Sequence, residues 1–316
     1  MPEDYIKIIN EYNGNPDWNI AGLFIYDEIL LDLLQTMKKE GIQIPFQYIY
    51  GTPYNTKLGG GRNPRLAENQ NQILEEQLIQ AYSDLGIGCR LALSNHLLQE
   101  QDYKDNFRIN DILTFLNSLS TTNGVILCDD NFNDYIKKNY PNLQRICSVI
   151  RPAIDVGWGN DTPDYYNTLC ERYDIVVVNC GFAKNLDNIN QLYFKDKIEV
   201  LVNTRCVLNC KLAKTHYDLV AKGYKYDPND DDSFKLLNDK EYEIFNQCLL
   251  NKQKNYFSGA NFSREEIQIL LDNGIYHFKL EGRNWPPETI LRDMCYYITD
   301  EIIFLRLINN ILGVTI

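Results

Sequence analysis

Tyr276-His277-Phe278-Lys279-Leu280-Glu281-Gly282-Arg283 alternates polar and apolar residues. Side chains of a strand point to opposite faces in turn. The Tyr/Phe/Leu set is therefore expected to pack beneath helices, and the His/Lys/Glu set to face inward. Buried charges need partners, so Lys279 and Glu281 are expected to meet each other or a ligand.

Outward from this stretch, short β-branched runs recur between segments of helical periodicity. Seven further strands are expected at Asn19–Tyr26, Pro45–Tyr50, Arg90–Ser94, Gly124–Cys128, Leu143–Ile150, Asp174–Asn179 and Lys197–Asn203. Ala21–Lys39 also reads as one continuous helix, so the first strand carries an alternative. Helices are expected over Leu66–Leu85, Ile109–Leu119, Phe132–Asn139, Asp164–Tyr173 and Leu186–Tyr193, with a last one from Pro286 to Asn310. Eight strands, each followed by helix, predict a (β/α)8 barrel. No GxGxxG or GxxxxGK[ST] loop favours an open nucleotide-binding sheet. The chain is expected to be one barrel domain over 1–316, with an insertion at 223–263 between the seventh and eighth strands.

The 316 residues carry a net charge of −12, with 44% hydrophobic residues. That balance argues against a nucleic-acid partner, which needs a basic footprint, and against an anionic membrane surface. No run of apolar residues is long enough to span a bilayer. Met-Pro-Glu-Asp-Tyr lacks the basic and apolar regions of a secretory signal, so a cytoplasmic location is expected. The nine cysteines are then expected as reduced thiols, some of them candidates for metal binding.

In such barrels the chemistry sits at the C-terminal ends of the strands. There the sequence places Asn95 and His96, Asp129 and Asp130, Arg151, Asn179 and Cys180, Asn203, Arg205 and Cys206, and Lys279, Glu281 and Arg283. The loop Leu58-Gly59-Gly60-Gly61-Arg62-Asn63-Pro64-Arg65 reads either as a flexible turn or as backbone approaching an anion clasped by forked arginine donors. His96, His216 and His277 fall at or near strand ends, as candidate acids, bases or ligands. Cys206 and Cys210, four apart, would share one side of a helical turn. Cys180 ends the preceding strand, and Cys128 and Cys248 are more distant candidates for a fourth position. These thiols either hold zinc or an iron–sulfur cluster or are small buried hydrophobes.

Val202-Asn203-Thr204-Arg205-Cys206-Val207-Leu208-Asn209-Cys210, with His216-Tyr217 beyond it, resembles the VN-x-x-C-x-x-x-C…H stretch of bacterial proteins similar to the peptidase U32 family. Phe278-Lys279-Leu280-Glu281-Gly282-Arg283 resembles that family's FK-[IL]-x-GR stretch. The glycine loop and Ser94-Asn95 fit it as well. The resemblance implies a barrel-type catalytic domain, peptidase activity or assistance to hydroxylation, and a cluster held by four cysteines. The family's Gly-x-x-x-Cys signature is missing, and Lys211 and Ala213 replace the usual proline and arginine, which argues against peptidase activity itself.

Together these readings predict a barrel enzyme acting on a small-molecule or peptide-like substrate with an anionic or carbonyl group. Asp129, His216, Lys279 and Glu281 are the expected catalytic residues. Arg62, Asn95, Asn203, Arg205 and Arg283 are expected to bind substrate, and Cys180, Cys206 and Cys210 to hold metal. The alternative is a non-catalytic ligand-binding barrel or partner subunit.

Overall fold

The computed structural model describes residues 16–25, 27–39, 41, 43–61, 72–204, 206–225, 239–244, 246–248, 250, 260–282 and 286–298. Eight strands close in sequence order into one parallel barrel. They are β1 (Asp17–Ala21), β2 (Tyr48–Gly51), β3 (Gly88–Leu93), β4 (Gly124–Leu127), β5 (Gln144–Cys147), β6 (Ile175–Val178), β7 (Ile198–Leu201) and β8 (His277–Leu280). β1 closes the ring against β8, with Asp17 opposite His277 and Asn19 opposite Lys279.

Each expected run contains a strand, but the strands are shorter than the apolar runs. Leu143–Ile150 turns into the helix Ile150–Asp155 at its last residue. Asn19–Tyr26 splits into β1 and a turn before the helix Asp27–Lys39. Gly22 sits at φ +126°, a region open to glycine, and this ends the strand where the sequence alone allowed one long helix. The long helix expected from Leu66 is described as Gln72–Asp84. The last described helix is Pro287–Tyr297. The helix Ala213–Tyr224 enters the expected insertion, most of which lies outside the described residues, and the helix Arg264–Asp272 leads from it to β8.

Helix starts follow local chemistry. Asn106, Asp129 and Thr162 accept hydrogen bonds from backbone N–H groups of the first turns they precede. Ser263 and Glu266 form a reciprocal capping box.

Period-two alternation sorts each strand into two layers. The outward set, including Trp18, Ile49, Leu91, Val125, Val176, Val200, Phe278 and Leu280, packs under the helices. The inward set includes Ala21, Tyr50, Ala92, Ile126, Ile146, Ile175 and Val177, a separate apolar cluster inside the ring. Each fully buried aliphatic side chain of this kind stabilises by about 1.5–3 kcal/mol. Phe278 and Leu280 are fully buried, as the alternation predicts, whereas Tyr276 lies just before β8 and is 45% exposed.

Candidate active site at the barrel mouth

Charged groups fill the lumen below the apolar cluster. Arg90 of β3 and Glu199 of β7, each 1% exposed, pair at 2.7 Å. Asn19 of β1 donates to both carboxylate oxygens of Glu199, at 3.4 and 3.2 Å. Arg90 also donates to Gln144 at 3.1 Å and lies 3.6 Å from the centre of the Tyr48 ring. Burial pushes the Tyr48 phenol up, against the opposing pull of the Arg90 charge. At the N-terminal end, His277 meets Asp17 at 3.2 Å and the Asp196 carbonyl at 2.8 Å. Burial alone would lower the His277 pKa. The hydrogen bond to Asp17 and the charges of Glu199 and Asp17 outweigh it, so the imidazole is held above its usual range.

Lys279 joins this network to the mouth. Its Nζ lies 3.5 Å from Glu199 Oε1 and 4.0 Å from the centre of the Tyr50 ring. The Tyr50 hydroxyl donates to the Leu280 carbonyl at 3.1 Å, fixing that ring. Above them a cavity opens at the mouth. Tyr50, Ala92, Ile126, Val177, Leu201 and Lys279 line it from the strands. Gly61, Ser148, Trp158, Thr204, Cys206, His216, Tyr217, Glu281 and Gly282 line it from the connections.

Three of the four expected catalytic residues, His216, Lys279 and Glu281, therefore share one cavity. Asp129 is placed elsewhere. Its carboxylate accepts from the Phe132 N–H at 2.7 Å as a helix cap, and it lines a separate outer groove with Tyr103 and Tyr135. Its neighbour Asp130 is held low because the hydrogen bonds and charge of Arg151, with Arg172, outweigh burial.

The two expected binding asparagines hold the scaffold. Asn95 is fully buried. It donates to the carbonyls of Lys57 and Ala221, at 2.9 and 3.1 Å, and accepts from the Leu97 N–H. Asn203 donates to the Glu281 carbonyl and to Asp293, both at 2.8 Å, and accepts from the Glu281 N–H at 2.7 Å. It thereby fixes the backbone of Glu281. Arg62, Arg205 and Arg283 lie outside the described residues. Gly61, Thr204, Cys206 and Gly282, their neighbours in the chain, line the cavity.

The glycine loop is neither free nor wholly turned to a ligand. A Cβ on Gly60 would come within 2.2 Å of the Ser94 carbonyl oxygen, and one on Gly59 within 2.2 Å of the Tyr224 ring. Two of the three glycines thus serve backbone packing against the end of β3 and the helix Ala213–Tyr224. Gly61 alone of the three reaches the cavity.

Cys206 and Cys210 are not carried by the helical turn that their spacing suggested. The segment from Cys206 to Cys210 is not helical, because Asn209 sits in the left-handed region at φ +51°. Its side chain instead accepts from Asn179 at 3.1 Å. Among the described residues no group of three His, Cys, Asp or Glu side chains is placed to hold a metal ion. Cys206 lines the cavity. Cys180 is buried, and burial, with a smaller contribution from Cys206, pushes its thiol up to about 12. Buried Cys128 is raised further, by desolvation.

The other histidines stand apart from the cavity. His96 meets Asp218 of the helix Ala213–Tyr224 at 2.7 Å. His277 lies at the opposite end of the lumen. Sequence reasoning did not single out Glu199 or Arg90, although each is a lone charge within an apolar strand, at Ile198-Glu199-Val200-Leu201 and Cys89-Arg90-Leu91. It also missed Trp158, which a loop between β5 and β6 carries to the cavity.

No protein-family model matches the chain, and no curated protein does. Among solved structures, tryptophan synthase from M. tuberculosis, in an open form with BRD0059 bound, superposes with a TM-score of 0.39 at 10% identity. The match covers 65% of this chain and 80% of that one. The barrel assignment rests on the strand pairing of this chain, and the likeness to peptidase U32 proteins remains one of short sequence stretches. Among the described residues no helix is long and apolar enough to cross a membrane.

Proposed function

We propose that the mouth cavity is the active site of an enzyme acting on a small molecule, or on the small end of a larger one, that bears an anionic or carbonyl group. The observation that carries this reading is the meeting of Lys279, Glu281 and His216 in one cavity at the C-terminal end of the barrel. Lys279 and Glu281 come from β8 and the residue following it, and His216 from the helix beyond β7.

In this reading Lys279 supplies a fixed positive charge at the floor. With Glu199 at 3.5 Å behind it, its task is to hold or polarise substrate oxygen. Glu281, its backbone fixed by Asn203, and His216 move protons. Arg62, Arg205 and Arg283 clasp the anionic end, a proposal supported by the cavity-lining positions of their chain neighbours. Asp129, a helix cap beside a separate groove, takes no part. The short U32-like stretches favour a hydrolytic or redox-assisting reaction, and the missing Gly-x-x-x-Cys signature weighs against peptide-bond hydrolysis.

Calorimetric titration with acetate and inorganic phosphate tests the binding half. Binding of either anion should weaken by about tenfold or more in Lys279→Met, as expected for the loss of one charge-assisted contact. Absence of anion binding, or binding indifferent to Lys279→Met, removes the basis for this reading. Ester and amide hydrolysis screens then test the catalytic half. Glu281→Gln should lower any activity found by roughly 10²–10⁴-fold. Anion binding without turnover would indicate the non-catalytic barrel.

A further inference from the structure

Resting on the reading of the mouth as an anion-binding site, we infer that its ligand is a planar unsaturated ring carrying the anionic group, with the ring received by a wall of Trp158, Tyr217 and His216.

The wall comes from two separate parts of the chain. His216 and Tyr217 begin the exposed-to-cavity face of the helix Ala213–Tyr224, with their rings parallel to within 8° and centroids 5.4 Å apart. Trp158 comes from the connection between β5 and β6 and meets Tyr217 edge to face, with centroids 5.8 Å apart and planes at 75°. All three line the cavity and all three are only half-buried. Apolar aromatic surface that stays half-covered at the mouth of a cavity gains by covering it, and aromatic faces and edges favour flat partners in stacked or T-shaped arrangements.

Both sides of the wall are held in place before any ligand arrives. Gly157 and Gly159 flank Trp158 at φ +80° and +93°, conformations that turn the chain tightly around the indole. The Trp158 Nε1–H donates to the Val149 carbonyl at 3.3 Å, and the Gly159 N–H to Asp161 at 2.7 Å. The opposite helix is fastened through Asp218 to His96 at 2.7 Å. Just beyond its end, Lys225 bonds to Asp102 at 2.7 Å and to the Leu97 carbonyl at 3.0 Å. A fixed wall spares the ligand the cost of ordering it. The Tyr50 ring already carries the Lys279 ammonium at 4.0 Å, so the floor supplies charge and the wall supplies flat surface. Glu281 lines the same cavity.

The test compares benzoate with cyclohexanecarboxylate by calorimetric titration of the full chain at fixed ionic strength, with benzamide as a neutral flat probe. The two acids match in charge and carbon count, and the puckered ring is at least as apolar. A preference for benzoate therefore reports flatness rather than burial. Benzoate should bind about three- to tenfold more tightly, the amount expected of one aromatic pair. Trp158→Leu should erase the ratio and Trp158→Phe should retain part of it. Tyr217→Leu gives a second route if the first variant melts early. Equal affinity for the two acids in the wild type overturns the ring inference while leaving the anion site intact. Binding of benzamide but of neither acid would sink the anion reading and keep the wall. Failure of all three probes to bind sinks both.

Discussion

The two ends of the barrel lumen hold similar residue types and use them differently. At the N-terminal end, Arg90, Glu199, Asn19, Gln144, His277 and Asp17 close on one another at hydrogen-bond and ion-pair distances. At the C-terminal end, Lys279, Glu281 and His216 also line a cavity. The difference follows from packing. Charges in a dry interior are tolerated only when they satisfy each other, whereas strand ends that feed long connections can leave a gap lined by polar groups. Lys279 belongs to both ends. It touches Glu199 below and the cavity above, and this makes it the residue through which the structural network meets the proposed chemistry.

The largest effect should come from breaking the lower network. Glu199→Gln leaves Arg90 and Lys279 without their shared negative charge, at a cost of about 3–5 kcal/mol. Urea denaturation would read this as a large fall in midpoint at unchanged slope. A loss below about 1 kcal/mol would show that the lower charges are not the closed unit described. Gly60→Ala comes next. Its Cβ would press on the Ser94 backbone rather than on a yielding side chain, so overpacking should cost about 1–3 kcal/mol. A neutral outcome in thermal melts would mean that the loop is as pliable as its glycines suggest.

Asp129→Ala sharpens the contrast between polar groups that cap helices and those that face the cavity. Loss of the cap should cost about 1 kcal/mol, and anion binding at the mouth should not change. A loss of binding would bring Asp129 back into the chemistry. The smallest effect is a pH dependence at the base. Because the folded state holds the His277 proton more tightly than the unfolded chain does, the native state binds more protons just above pH 6.5. His277 therefore contributes stability that is fully present below about pH 6.5. That contribution is lost as pH rises through the raised value. Wild-type stability should fall across this window more than that of His277→Gln. Parallel profiles would show that the Asp17 and Glu199 charges do not act on the ring.

Much of this arrangement was legible in the sequence, because backbone geometry imposes it locally. Strand alternation has a period of two wherever a strand forms, so the inward set of β8 follows from its order of residues alone. The count of eight strands follows from the recurrence of β-branched runs between helical segments. Asp129 shows where such reading stops, since an acid after a strand serves equally as a helix cap or as a catalyst, and only its hydrogen bond to Phe132 tells which. The cysteine pair fails for a comparable reason. Four-residue spacing stacks side chains only in a helix, and the left-handed Asn209 prevents one. The contact of Lys279 with Glu199 could not be read from β8, because Glu199 reaches it from the neighbouring strand through the register that pairs Leu201 with Lys279. What the sequence determined was each element and the face it buries, since those depend on neighbours along the chain. Which buried charges meet, which glycines pack against backbone, and which aromatics close one wall were decided by closing the ring, because that step alone sets distances between residues remote in sequence.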